Sequence, residues 1–110
     1  MAKPPDLKAE LWRELRDGRG VHEAELRYPG WHLDGLCEGG KVYVDPAPSI
    51  VETVLHELLH RARPRWGERR VDAEAKRMLR QMSTQEVRRW YRTYQRVKQS
   101  RVTPVRLGEE

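Results

Sequence analysis

The residues best placed to do chemistry lie in the stretch VLHELLHRARPRWGERRV, positions 54–71, where His56, Glu57 and His60 stand together. An α-helix turns about 100° per residue, so side chains four apart share a face with Cβ atoms about 5–6 Å apart. Two imidazoles so placed can converge on one ion. Zinc takes imidazole nitrogen at roughly 2.0–2.1 Å, and a catalytic site keeps one position open for water. Glu57, one step along from His56, can reach that water without ligating the metal and can act as its general base. The competing reading is two ordinary surface histidines on a polar face. On a helical wheel Ile50, Val51, Val54, Leu55, Leu58, Leu59 and Ala62 fill one half of the circle. His56 and His60 fall near the centre of the other half, beside Thr53 and Glu57, which removes a core role and favours the metal reading.

A zinc site of this kind needs a third protein ligand. His22 and His32 qualify by type, but both fall in a strand region where partial exposure explains them. The segment after the histidines offers Glu68, Asp72 and Glu74. On its wheel Val71, Ala75, Met78, Leu79 and Met82 form an apolar stripe, and Glu68 falls within it. A carboxylate aimed at apolar packing is costly unless paired or bound to a metal. Acids are also favoured at helix N-termini, which would explain Glu68 without a ligand. Glu68 is the preferred third ligand, with Asp72 and Glu74 as alternatives.

His56-Glu57-Leu58-Leu59-His60 is an HExxH sequence and resembles the signature of zinc metallopeptidases, the zincins. With a glutamate on the following helix it is similar to the gluzincin type in a minimal single-domain form. Pro64, Glu68 and Val71 match the spacing of small bacterial and phage zincin-like proteins, and the likeness covers roughly residues 40 to 80. The resemblance implies a small sheet whose edge strand borders the cleft, an active-site helix and a glutamate helix. It also implies one Zn²⁺ per chain, bound by His56, His60 and Glu68, with Glu57 as base and a peptide or protein as substrate. Tyr91 and Tyr94 could serve an oxyanion. They sit in a stripe with Val87, Trp90 and Val97, however, so core packing is the better reading and no oxyanion residue is assigned.

Three other readings remain. A SprT-like protease acting on DNA-bound proteins would use the basic second half as its DNA contact, but such sites use a third histidine and none follows His60. A non-catalytic zinc-binding regulator would not need Glu57. A metal-free helical interaction domain would need none of the three.

The elements that must position these residues come from 110 amino acids, enough for one domain, 1–110, with a modest core. Leu7, Leu11 and Leu15 predict a helix over 6–17, ending at Gly18 and Gly20. Ala24, Leu26 and Tyr28 alternate with charged residues and predict a strand; Trp31 and Leu33 begin another. Gly39-Gly40 predicts a hairpin turn into KVYVD, which Pro46 and Pro48 stop and which could pair with an extended peptide by strand addition. Ser49 with Glu52 predicts a capped helix to about Ala62, a second helix runs from Gly67 or Glu68 to near Met82, and Ser83 with Glu86 opens a third to about Gln99. Residues 101–110 carry no strong signal. The fold class is α+β, with a small mixed or antiparallel sheet packed on the active-site helix.

Net charge is +5, with 17 Arg and 5 Lys, the Arg interleaved with acids. A solvated helical surface explains this better than a nucleic-acid interface. One cysteine excludes an intrachain disulfide, and no apolar run approaches membrane length. With no signal-peptide pattern at the N-terminus, the expectation is a soluble cytoplasmic protein. The oligomeric state is left open.

Overall fold

A computed structural model describes residues 6–27 and 32–99. Its elements are α1 (Leu7–Asp17), β1 (Val21–Glu23), β2 (Gly35–Glu38), β3 (Lys41–Val44), α2 (Ala47–Ala62), α3 (Glu68–Gln81) and α4 (Thr84–Val97). The class is α+β, as expected. The sheet is mixed, with order β1-β3-β2: β1 runs parallel to β3 and β2 antiparallel to it. Gly39 and Gly40, at φ 59° and 75°, make the β2–β3 turn; two successive positive φ angles are what a tight hairpin demands.

The strand expectations needed correction. The first strand is Val21–Glu23, and residues 24–27 run on without strand structure; Tyr28 and Trp31 lie outside the described residues. The next strand begins at Gly35, past Leu33. β3 lies between two partners, so both of its edges are taken and it cannot accept a peptide by strand addition. Gly39-Gly40 marks a local event that a few residues specify. The parallel return of β1 onto β3 is a long-range pairing that neither segment announces.

The core lies among the last three helices. Ala47, Val51, Leu55, Ala75 and Val87 are buried together, with Leu59, Met78, Leu79, Met82, Trp90 and Tyr91 packed against them. Tyr91 thus takes the packing role expected of it. α4 opens on the predicted capping box: Glu86 N donates to Ser83 Oγ at 3.1 Å and Ser83 N to Glu86 Oε1 at 3.3 Å. It ends at Val97, two residues before Gln99.

α2 starts earlier than the sequence suggested. Its N-cap is Pro46, not Ser49, and no Ser49–Glu52 box forms. Proline suits a first helical turn because its φ is already helical and its missing N–H is not needed. Asp45 does the capping from one residue upstream, its Oδ1 accepting from Ala47 N at 3.1 Å. Asp45 is 1% exposed. Its Oδ2 accepts from Leu26 N at 3.0 Å and from an Arg88 guanidinium nitrogen. One carboxylate therefore ties the end of β3, the start of α2, the segment after β1 and α4 together. Arg88 Nε makes no hydrogen bond and lies 3.5 Å from Glu25 Oε1. Among the described residues no helix is long and apolar enough to cross a membrane.

Candidate metal centre

α2 carries the two histidines on the side away from Val51 and Leu55, as the wheel required. Their rings meet edge to face, centroids 4.9 Å apart and planes at 67°. The two Nε2 atoms come within 3.2 Å of each other. The His56 side chain is 18% exposed, His60 34% and Glu57 70%.

The chain after Ala62 turns sharply to bring α3 back. Arg63 N donates to Leu59 O at 2.7 Å and Trp66 N to Arg63 O at 3.0 Å. The Arg70 guanidinium lies 3.9 Å from the centre of the Trp66 ring, a cation–π contact that fastens the first turn of α3 to this link. Glu68, the first residue of α3, thereby faces the histidines. Its Oε1 lies 2.6 Å from His56 Nε2 and its Oε2 2.8 Å from His60 Nε2. Its route there differs from the sequence argument. Glu68 is not pressed against the apolar stripe; its side chain is 72% exposed, and the stripe's burial begins at Val71. At the opening of a helix a side chain can reach sideways across the link, an option the wheel alone does not display.

Of the alternatives, Asp72 stands behind His56, its Oδ1 3.8 Å from Nδ1, while its Oδ2 accepts from Lys76 Nζ at 2.8 Å. That hydrogen bond to Lys76 holds the Asp72 carboxyl below the usual carboxylate range, and the same bond raises the Lys76 ammonium. Glu74 is turned away into a pair with Arg77, which lowers its pKa. His22 stacks on Tyr43 with centroids 5.4 Å apart, and His32 Nε2 lies 2.7 Å from Met82 O, so neither belongs to the cluster.

His56, His60 and Glu68 thus present two imidazole nitrogens and a carboxylate within 4.8 Å of one another. This donor set suits zinc. Tetrahedral bonds of roughly 2.0–2.1 Å put ligand atoms about 3.3 Å apart. The nitrogen–nitrogen edge of 3.2 Å already has that length. The contacts to Glu68 run to different oxygens, Oε1 to His56 and Oε2 to His60, and a small swing of this exposed side chain would turn one oxygen toward a shared ion. Glu57 Oε1 lies 4.0 Å from His56 Nε2, beside the cluster but not in it. A concavity of about 380 Å³, lined by Glu52, Thr53, His56, Glu57, Asp72 and Lys76, opens along α2 from this point. The sequence reading leaves Lys76 out and gives Glu52 only a capping role. Their spacing from Asp72 and His56, four residues each, is the signal that could have found them. No family model matches the sequence, and no curated protein or solved structure shows significant similarity to it.

Proposed function

We propose that this chain is a zinc-dependent metallopeptidase. The observation that carries the reading is the triangle of His56 Nε2, His60 Nε2 and Glu68, with the Glu57 carboxylate 4.0 Å to one side. Two neutral imidazoles and one carboxylate leave a fourth tetrahedral position free, the arrangement of a catalytic centre and not of a closed structural one. Zinc held there would polarise a peptide carbonyl and make water acidic enough to ionise near neutral pH. Glu57 is exposed and unpaired by any Lys or Arg among the described residues, so its carboxylate is free to accept the proton of the attacking water and hand it to the departing amine. Asp72 faces His56 Nδ1 and favours the tautomer with its proton there, leaving the Nε2 lone pair for the metal. The concavity beside Glu57 is where an extended peptide would lie.

The test is hydrolysis of a mixed peptide library by zinc-loaded wild type and Glu57→Gln, with zinc measured in both. The wild type should cleave, stop with a chelator and recover with zinc. Glu57→Gln should keep its zinc and lose a factor of about 10²–10⁴ in rate, the usual share of a general base. Equal rates in the two would remove Glu57 from the reaction. Stoichiometric zinc in a wild type that cleaves nothing would favour the non-catalytic zinc-binding reading.

A further inference from the structure

Two apolar surfaces have no partner among the described residues. The first is α1. Leu7, Leu11 and Leu15 form one row with Trp12 beside it, yet the helix has no buried residue and these four are 55–63% exposed. The second is one face of the sheet. The register puts Val21, Val42 and Cys37 side by side across β1, β3 and β2, with Val44 one step along on the same face. Val21, Val42 and Val44 are 36–46% exposed and Cys37 is exposed. Seven of the nine exposed large hydrophobics among the described residues belong to these two surfaces. An amphipathic helix laid on a sheet face is the usual way to bury both. Within one copy this does not occur. Val42 N donates to Gly20 O at 2.7 Å, so α1 leaves the sheet from a fixed point, turning at Gly18 with φ 72°.

We infer that the occupant is a second copy: the chain forms a symmetric dimer in which each copy lays α1 across the Val21–Val42–Val44 face of the other. If fully covered, the two surfaces remove about 700 Å² of mostly apolar area per chain, so about 1,400 Å² in the pair, within the standard range of stable interfaces. Exchange of an element between identical chains is a low-cost route to a dimer when that element is already detached from its own fold. Charge does not oppose it: α1 carries Lys8, Arg13 and Arg16 against Glu10, Glu14 and Asp17. The inference is independent of the metal reading, since neither surface contains His56, His60 or Glu68.

Cys37, the single cysteine and part of the receiving face, provides the test. Wild type is mixed with a Cys37→Ser/Leu11→Cys variant under mild oxidation. A disulfide between the two chains is expected, and none with Cys37→Ser/Arg13→Cys, whose thiol is on the far side of α1. Sedimentation should give a dimer across roughly 1–100 µM, with its dissociation constant raised at least about tenfold by Leu11→Glu or by Val44→Lys. Helical circular dichroism, which the last three helices dominate, reports that these variants remain folded. A monomer throughout that range overturns the inference. So does a wild-type chain carrying Leu11→Cys that links to its own Cys37, because α1 would then cover its own sheet.

Discussion

Replacing Glu68 with alanine should separate the metal from the fold. The side chain is 72% exposed and makes no contact with the core. Its loss therefore forfeits little buried area: the exposed contacts to His56 and His60 and the favourable placement of an acid at a helix N-terminus, together about 1 kcal/mol. The metal-free variant should melt within a few degrees of the metal-free wild type. Zinc that binds only the native state adds RT ln(1 + [Zn]/Kd), about 2.7 kcal/mol at a hundredfold excess over Kd. For a domain of this size each kcal/mol moves Tm by about 4–8 °C, so saturating zinc should raise the wild type by about 10–20 °C. Outer-shell partners alone are worth 10–100-fold in affinity, so removing a ligand should cost about 100-fold or more. At the same zinc concentration the variant then retains at most about 0.4 kcal/mol, a rise of about 2–3 °C. Differential scanning fluorimetry with and without zinc reads all four states. An equal zinc-induced rise in wild type and variant would refute the assignment of Glu68 as ligand. A variant that has lost its metal-free stability would refute the claim that Glu68 does no structural work.

Asp72→Asn should weaken zinc by about tenfold, the low end for an outer-shell partner because 3.8 Å is a loose contact, as read by chelator competition. In the metal-free protein the Asp72 carboxyl should titrate below the usual carboxylate range and return toward it in Lys76→Met, followed by side-chain NMR. The sign follows from that lowered pKa: the Asp72–Lys76 contribution is present above the unfolded carboxylate pKa and disappears as pH falls through the folded one. Arg88→Met should destabilise by about 3 kcal/mol in urea unfolding, the low end for a broken buried pair, since Asp45 keeps its bonds from Leu26 N and Ala47 N. Ser83→Ala should cost about 1 kcal/mol through loss of the α4 cap.

Local signals account for what could be read in the chain. His56 and His60 share a face because helical periodicity says so, and the 50–62 apolar stripe says which face. Ser83–Glu86 and Gly39-Gly40 are each a complete instruction within four residues. The misreadings come where a distant partner decides. Ser49 has the sequence of a cap, but Asp45 already occupies the start of α2, held there by Leu26 and Arg88 from 19 and 43 residues away. The middle place of β3 is set by β1, whose three residues give no period to detect. Glu68 was singled out by its place on a wheel, and it does face the histidines. The reason lies in the turn at Arg63–Trp66 and in its position as the first residue of α3, where the wheel's inward direction no longer means burial. The row Leu7, Leu11, Leu15 predicted a helix correctly, but periodicity says only that a face wants covering, not that its own chain covers it.

The gradient of exposure across the cluster bears on what kind of centre this is. His56 at 18% is set between α2 and α3 with Asp72 behind it, His60 at 34% is nearer the surface, and Glu68 at 72% and Glu57 at 70% stand at the rim. A zinc that only braced a fold would be expected with four protein ligands and little access, because stability is all it contributes. Here the donors are three, and the described residues bring no fourth His, Cys, Asp or Glu into the group. The concavity along α2 meets the cluster at His56 and Glu57. On the proposed reading, burying one ligand against a second helix would fix the geometry, while exposure of the others would keep a fourth position and Glu57 within reach of a substrate. Such an arrangement would trade tightness for access, which the proposed hydrolytic centre requires and a structural one does not.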